Sequence, residues 1–131
     1  MPPEESRYDR GLAKMRAMFG PGIDSALESL SATSPDLVRC LVEFPFGDIY
    51  PRPGLDLKTR EMLTVAALTI LGFSQGELKD HIRGALNVGC TRDEILEIIL
   101  QMAVYAGFPA ALEASRTAAS VFAENQVLHP E

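Results

Sequence analysis

Residues 74–107 read SQGELKDHIRGALNVGCTRDEILEIILQMAVYAG, and the fold class turns on this stretch. Ser74 and Thr91 each stand three residues before a glutamate, Glu77 and Glu94. That is the spacing of a capping box, in which a hydroxyl and a carboxylate satisfy backbone N–H groups at the start of a helix. Behind the first box Leu78, Ile82, Ala85 and Leu86 share one face at helical spacing, with Lys79, Asp80, Arg83 and Asn87 opposite. Gly89 closes this helix. The second box opens another that runs to about Tyr105, and AGFP then breaks the chain.

The same signals extend in both directions. Upstream, helices are expected over about 5–18, 23–31 and 35–43, the third opened by Ser34 as N-cap and Pro35 at its first position. FGDIYPRPGLD follows; its prolines and glycines predict an irregular segment. Asp56 is placed to cap a fourth helix, LKTREMLTVAALTIL, ending at Gly72. Downstream, AALEASRTAASVFAEN forms the last, whose alanines permit close helix–helix approach. No hairpin signal occurs. The expectation is a single all-α domain over 1–131 with six to seven helices, its first 33 residues forming N-terminal helices and 125–131 a flexible tail.

The chain has 131 residues, 47% hydrophobic and 23% charged, with a net charge of −6, so it is globular and carries no basic stripe for nucleic acid or an anionic membrane. Neither a signal peptide nor a transmembrane run is visible, and the cytoplasm is the expected location. Cys40 and Cys90 form no CxxC, and two histidines make a metal site improbable. Helix four is apolar nearly all round from Met62 to Leu71, and the sixth helix keeps only a narrow polar strip of Glu94, Glu97, Gln101 and Tyr105. Helices of this kind require burial on every side, which predicts a homo-oligomer.

His81 falls among apolar positions, either as a core histidine with a partner or as the lining of a pocket. Glu77, one turn earlier, can reach it. Glu61 is the more informative carboxylate, because Val65 and Leu68 continue its face and leave it poorly solvated. A Glu–His pair between helices suits acid–base chemistry near neutral pH, and it equally suits a structural hydrogen bond. Arg52, Arg60 and Arg83 can each hold a carboxylate through two hydrogen bonds, with Arg83 better explained as solvated surface. Cys90 reads as an ordinary buried cysteine and His129 as part of the tail.

YPRPGLDLKTREMLTVAALTILG (50–72) and ELKDHIRGALNVGCTRDEILEIILQMAVYAGFPAALEA (77–114) together resemble the carboxymuconolactone decarboxylase family, over about residues 44–123. The resemblance implies an alkylhydroperoxidase D-like helical bundle in a ring-like oligomer, commonly a hexamer built from three dimers. In the family's peroxidase branch a CxxC works with a glutamate and a histidine. Those last two roles fall here on Glu61 and His81, but the cysteine positions hold Ser74 and Glu77, which disfavours thiol peroxidase chemistry. The decarboxylase branch implies cofactor-free loss of CO2 from a small cyclic acid or lactone. His81 is then expected to deliver the proton, Glu61 to orient it and Arg52 to hold a substrate carboxylate, with Arg60, Gln101 and Tyr105 as further pocket residues. A peroxidase-like protein and a non-catalytic oligomeric binder of small molecules are the alternatives.

Overall fold

Ser6 opens the first helix: its hydroxyl accepts the Asp9 N–H at 3.0 Å, and its backbone is extended, as an N-cap requires. The computed structural model describes residues 3–128, so His129 lies outside the described residues, as do the last residues of the expected tail. Among the described residues there are seven α-helices and one π-helix: α1 (Arg7–Phe19), α2 (Ile23–Ser31), α3 (Pro35–Leu41), the π-helix Val42–Ile49, α4 (Leu57–Leu71), α5 (Gln75–Asn87), α6 (Arg92–Ala106) and α7 (Phe108–Leu128). The all-α expectation holds. No described helix is long and apolar enough to cross a membrane. The chain forms two compact units, Met1–Asp56 and Leu57–Glu131.

In the first unit α1 packs on the π-helix with backbones nearly touching. A Cβ on Gly11 would sit 2.0 Å from the Val42 carbonyl oxygen, and one on Gly47 would sit 2.6 Å from that of Arg7, so both positions exclude a side chain. Phe46 stacks on Tyr50 and meets Phe19 edge-on. Arg7 and Arg10 close the rim on Asp48, and Arg10 Nε also donates to the Gly47 carbonyl at 2.7 Å. The π-helix corrects the expected end of helix three. Helical winding runs on through Pro45, Phe46 and Gly47, and only residues 50–56 are irregular. Proline lacks the N–H for an ordinary α-turn. The wider turn continues without that donor, as the Tyr50 N–H to Pro45 carbonyl bond of 2.8 Å shows.

In the second unit α4 and α5 form a hairpin through Gly72, which takes a positive φ of 74°. Val65, Leu78, Ile82, Ala85, Ile95, Ile99 and Val121 fill the core with Cys90. Each fully buried aliphatic side chain is worth about 1.5–3 kcal/mol. α7 presents Ala111, Ala114 and Ala118 to this core. It is longer than expected at both ends. Gly107 alone, at φ 88°, makes the break that AGFP predicts.

The two capping boxes part company. Thr91 accepts the Glu94 N–H at 3.0 Å, and the Glu94 carboxylate accepts the Thr91 N–H at 2.9 Å. That backbone bond, followed by Lys58, holds the Glu94 carboxyl below its usual value. Ser74 makes no side-chain cap, nor does Ser34. Both adopt backbone angles outside the extended region that aims a capping hydroxyl inward; Thr91, at φ −90° and ψ 160°, is inside it.

Candidate active site

Glu61, Val65 and Thr69 recur every four residues along α4 and form its buried edge. For valine and threonine this is ordinary. The Thr69 hydroxyl donates to the Val65 carbonyl at 2.7 Å and so satisfies itself within its own helix. Glu61 is different, because it is completely buried and carries a carboxyl group that a protein interior solvates poorly. Its partner comes from the other arm of the hairpin. His81 Nδ1 lies 2.9 Å from Oε2 and 3.2 Å from Oε1, so one ring nitrogen faces both carboxylate oxygens.

An ionised carboxylate only accepts hydrogen bonds, so opposite an ionised Glu61 the facing Nδ1 is the protonated nitrogen. In the neutral ring Nε2 then holds the lone pair, and in the charged ring it is a second donor. The His81 side chain keeps 14% of its surface exposed while Glu61 keeps none. The arrangement is a buried carboxyl group orienting a partly accessible imidazole. A carboxyl group so placed fixes the orientation of the ring.

The structure thus brings together the two residues expected to be catalytic, and it chooses Glu61 over Glu77 as the carboxylate on His81 Nδ1. Arg83 lies elsewhere, paired with Glu124 at 2.8 Å and Asp80 at 3.0 Å, as its surface reading predicts. Arg60 is half-buried on α4, next to Glu61 in the chain. Gln101 and Tyr105 lie on the exposed side of α6, Tyr105 with 73% of its surface free. Arg52 is exposed in the irregular segment of the first unit, where its N–H donates to the Ile49 carbonyl at 3.1 Å. Cys90 is buried, its thiol 3.8 Å from the Lys58 carbonyl oxygen, and Cys40 is exposed on α3 of the first unit. Sequence reasoning passed over Gln75 and Thr117, half-buried side chains whose only signal was polarity at the edge of an apolar face.

In this hairpin a fully buried glutamate on one arm thus faces a ring nitrogen of a histidine on the other. The chain belongs to the carboxymuconolactone decarboxylase family, whose model matches residues 35–120. It is 37% identical over 120 residues to a 4-carboxymuconolactone decarboxylase of Acinetobacter baylyi, covering 91% of this chain and 89% of that one. It is 35% identical over 108 residues to the nitrosuccinic acid decarboxylase of Metarhizium robertsii, covering 82% and 75%. An uncharacterized 15.0 kDa protein of Paracoccus denitrificans is 38% identical over 116 residues, covering 85% and 84%.

Proposed function

We propose that this protein is a cofactor-free carboxy-lyase that acts on a small carboxylic acid or lactone through the Glu61–His81 pair. The observation that carries the reading is the fully buried carboxylate facing a partly accessible imidazole. Two relatives are named for removing a carboxyl group, one from 4-carboxymuconolactone and one from nitrosuccinic acid. These acids share an electron-accepting group near a carboxylate: an unsaturated lactone carbonyl in the first, a nitro group in the second.

The chemistry follows from that feature. The bond to the departing carboxylate breaks, CO2 leaves, and the electron pair stays on carbon, spread into the acceptor. Protonated His81 delivers its Nε2 proton to that carbon, and solvent restores the proton afterwards. Glu61 holds the ring by Nδ1 and stabilises its charge until the transfer. Exclusion of water favours the loss of CO2, because a carboxylate stripped of hydration gains more by becoming neutral gas.

The same reading includes self-association, in keeping with the ring-like hexamer that the family resemblance implies. Leu96, Leu100 and Val104, one helical stripe of α6, are all exposed in the single chain, Val104 by 77%. An apolar stripe of this kind marks a protein contact. Light scattering is expected to give a multiple of 14.3 kDa. The activity is tested by incubating the purified protein with 4-carboxymuconolactone, or with nitrosuccinate, in buffered D2O. The expected result is CO2 release with one deuterium placed on the product carbon. Failure to release CO2 from either acid counts against the reading.

A further inference from the structure

Helix α5 is fastened to α7 at two places. Near its start the Thr117 hydroxyl donates to Gln75 Oε1 at 2.7 Å, while Gln75 Nε2 donates to the Gly72 carbonyl at 3.0 Å. One carboxamide therefore joins the end of α4, the start of α5 and the middle of α7. Farther along, Arg83 donates from Nε and Nη2 to Glu124 Oε2 at 3.1 and 2.8 Å, and Lys79 Nζ lies 2.9 Å from Oε1. The intervals from 75 to 83 and from 117 to 124 are both about two helical turns, so the fastenings run along one seam.

His81 lies between them in the chain and points elsewhere. At about 100° per residue it is turned roughly 120° from Gln75 and roughly 160° from Lys79 and Arg83. The seam thus takes one side of α5, and the side turned away from it offers His81 to Glu61 on α4. A roll of α5 by about 10° would carry a side-chain tip at the helix rim by about 1 Å. That exceeds the difference between the 2.9 and 3.2 Å contacts of Nδ1. Displacements of about 1 Å in a reacting group can cost about 100-fold in rate.

The fastenings differ in kind. Gln75–Thr117 is neutral and part-buried, so salt leaves it alone. The Arg83–Lys79–Glu124 cluster is ionic, with both the arginine and the glutamate side chains more than a third exposed. Its attraction weakens as the screening length falls from about 30 Å at 0.01 M salt to about 3 Å at 1 M.

We propose that Gln75 and Thr117 are positioning residues: their hydrogen bond sets the rotation of α5 that aims His81 at Glu61, and it makes that aim indifferent to ionic strength. The proposal rests on the acid–base reading of the pair. Its test is Thr117→Val, which keeps the shape and removes the donor, with Thr117→Ser as the conservative rescue and Gln75→Met as a second break. Turnover and the Nδ1–H resonance of His81 are followed from about 0.01 M to about 1 M salt. In Thr117→Val and Gln75→Met, kcat is expected to fall about tenfold at the high-salt end and much less at the low-salt end, with KM changed less than about twofold. The His81 resonance is expected to move with salt in these two variants only, and Thr117→Ser to behave as the unaltered protein. A flat kcat and an unmoved resonance in Thr117→Val, whatever its melting temperature, overturn the proposal. The resonance needs no turnover. An unaltered protein without lyase activity therefore defeats the reading of function, and the resonance still decides this proposal.

Discussion

The two helical units treat charge in opposite ways. The first brings α1 and the π-helix together through bare backbone at Gly11 and Gly47 and keeps its charges at the rim, where Arg7 and Arg10 meet Asp48. Rim pairs of this kind add little net stability and are screened by salt. The second unit takes a carboxylate wholly out of water and gives it an imidazole. Removal from water opposes folding, and the attraction within a buried pair often fails to exceed it. Neither kind of ion pair is thus a large source of stability, and the proposed proton transfer gives the buried pair a use that the rim pairs lack.

Glu61→Leu makes the sharpest break in that contrast. Turnover is expected to fall by about 10²–10⁴, the span attributed to positioned acid–base groups. Urea unfolding is expected to show a loss of about 1–3 kcal/mol, because His81 stays part-buried and loses its carboxylate partner. Activity that survives the substitution would place the pair among structural hydrogen bonds. Gly11→Ala attacks the other unit. With backbone oxygen at 2.0 Å from the new Cβ, the helices are forced apart, and the loss is expected to reach about 1–3 kcal/mol or more in a denaturant titration. The His81 Nδ1–H resonance is expected to stay in place.

Smaller effects sharpen the reading of the caps. Thr91→Ala is expected to lower stability by about 1 kcal/mol. Ser74→Ala, at a position of the same sequence pattern, is expected to stay within about 0.5 kcal/mol, because Ser74 makes no cap. The smallest effect lies in acid. The Asp48 carboxyl sits below its ordinary 3.8, through its hydrogen bonds with Arg7 ahead of the charge attraction. A carboxyl depressed by folding stabilises above its unfolded value and loses that contribution as pH falls through its folded value. Stability from Asp48 is thus present above pH 3.8 and fades below it. Asp48→Asn is expected to unfold slightly more easily at neutral pH and to converge on the unaltered protein in acid; curves that differ equally at every pH would contradict the pairing.

Local chemistry was the legible part of the sequence. The Thr91–Glu94 box and the glycine stops depend on a few neighbouring residues, and they appear where the spacing placed them. Ser74 shows the limit of such reading: the same four-residue pattern failed because its backbone is not extended, and Gln75 binds the preceding turn instead. The π-helix was hidden for a related reason. Pro45 and Gly47 speak against regular structure locally, while the close approach of Gly11 on α1 to the π-helix and of Gly47 to α1 rewards it. Glu61 and His81 were legible because a titratable group among apolar positions must find a polar partner or stay uncharged. Gln75 and Thr117 were not, since a polar residue at the edge of a helix face is ordinary until its partner is known.

In the proposed reaction His81 moves a proton while Glu61 holds the imidazole ring. The direct measurement is steady-state release of CO2 from 4-carboxymuconolactone by the unaltered protein and by His81→Gln, side by side and with both shown to be folded. The account predicts that His81→Gln loses about 10²–10⁴ in turnover. Equal turnover by the two proteins would contradict it.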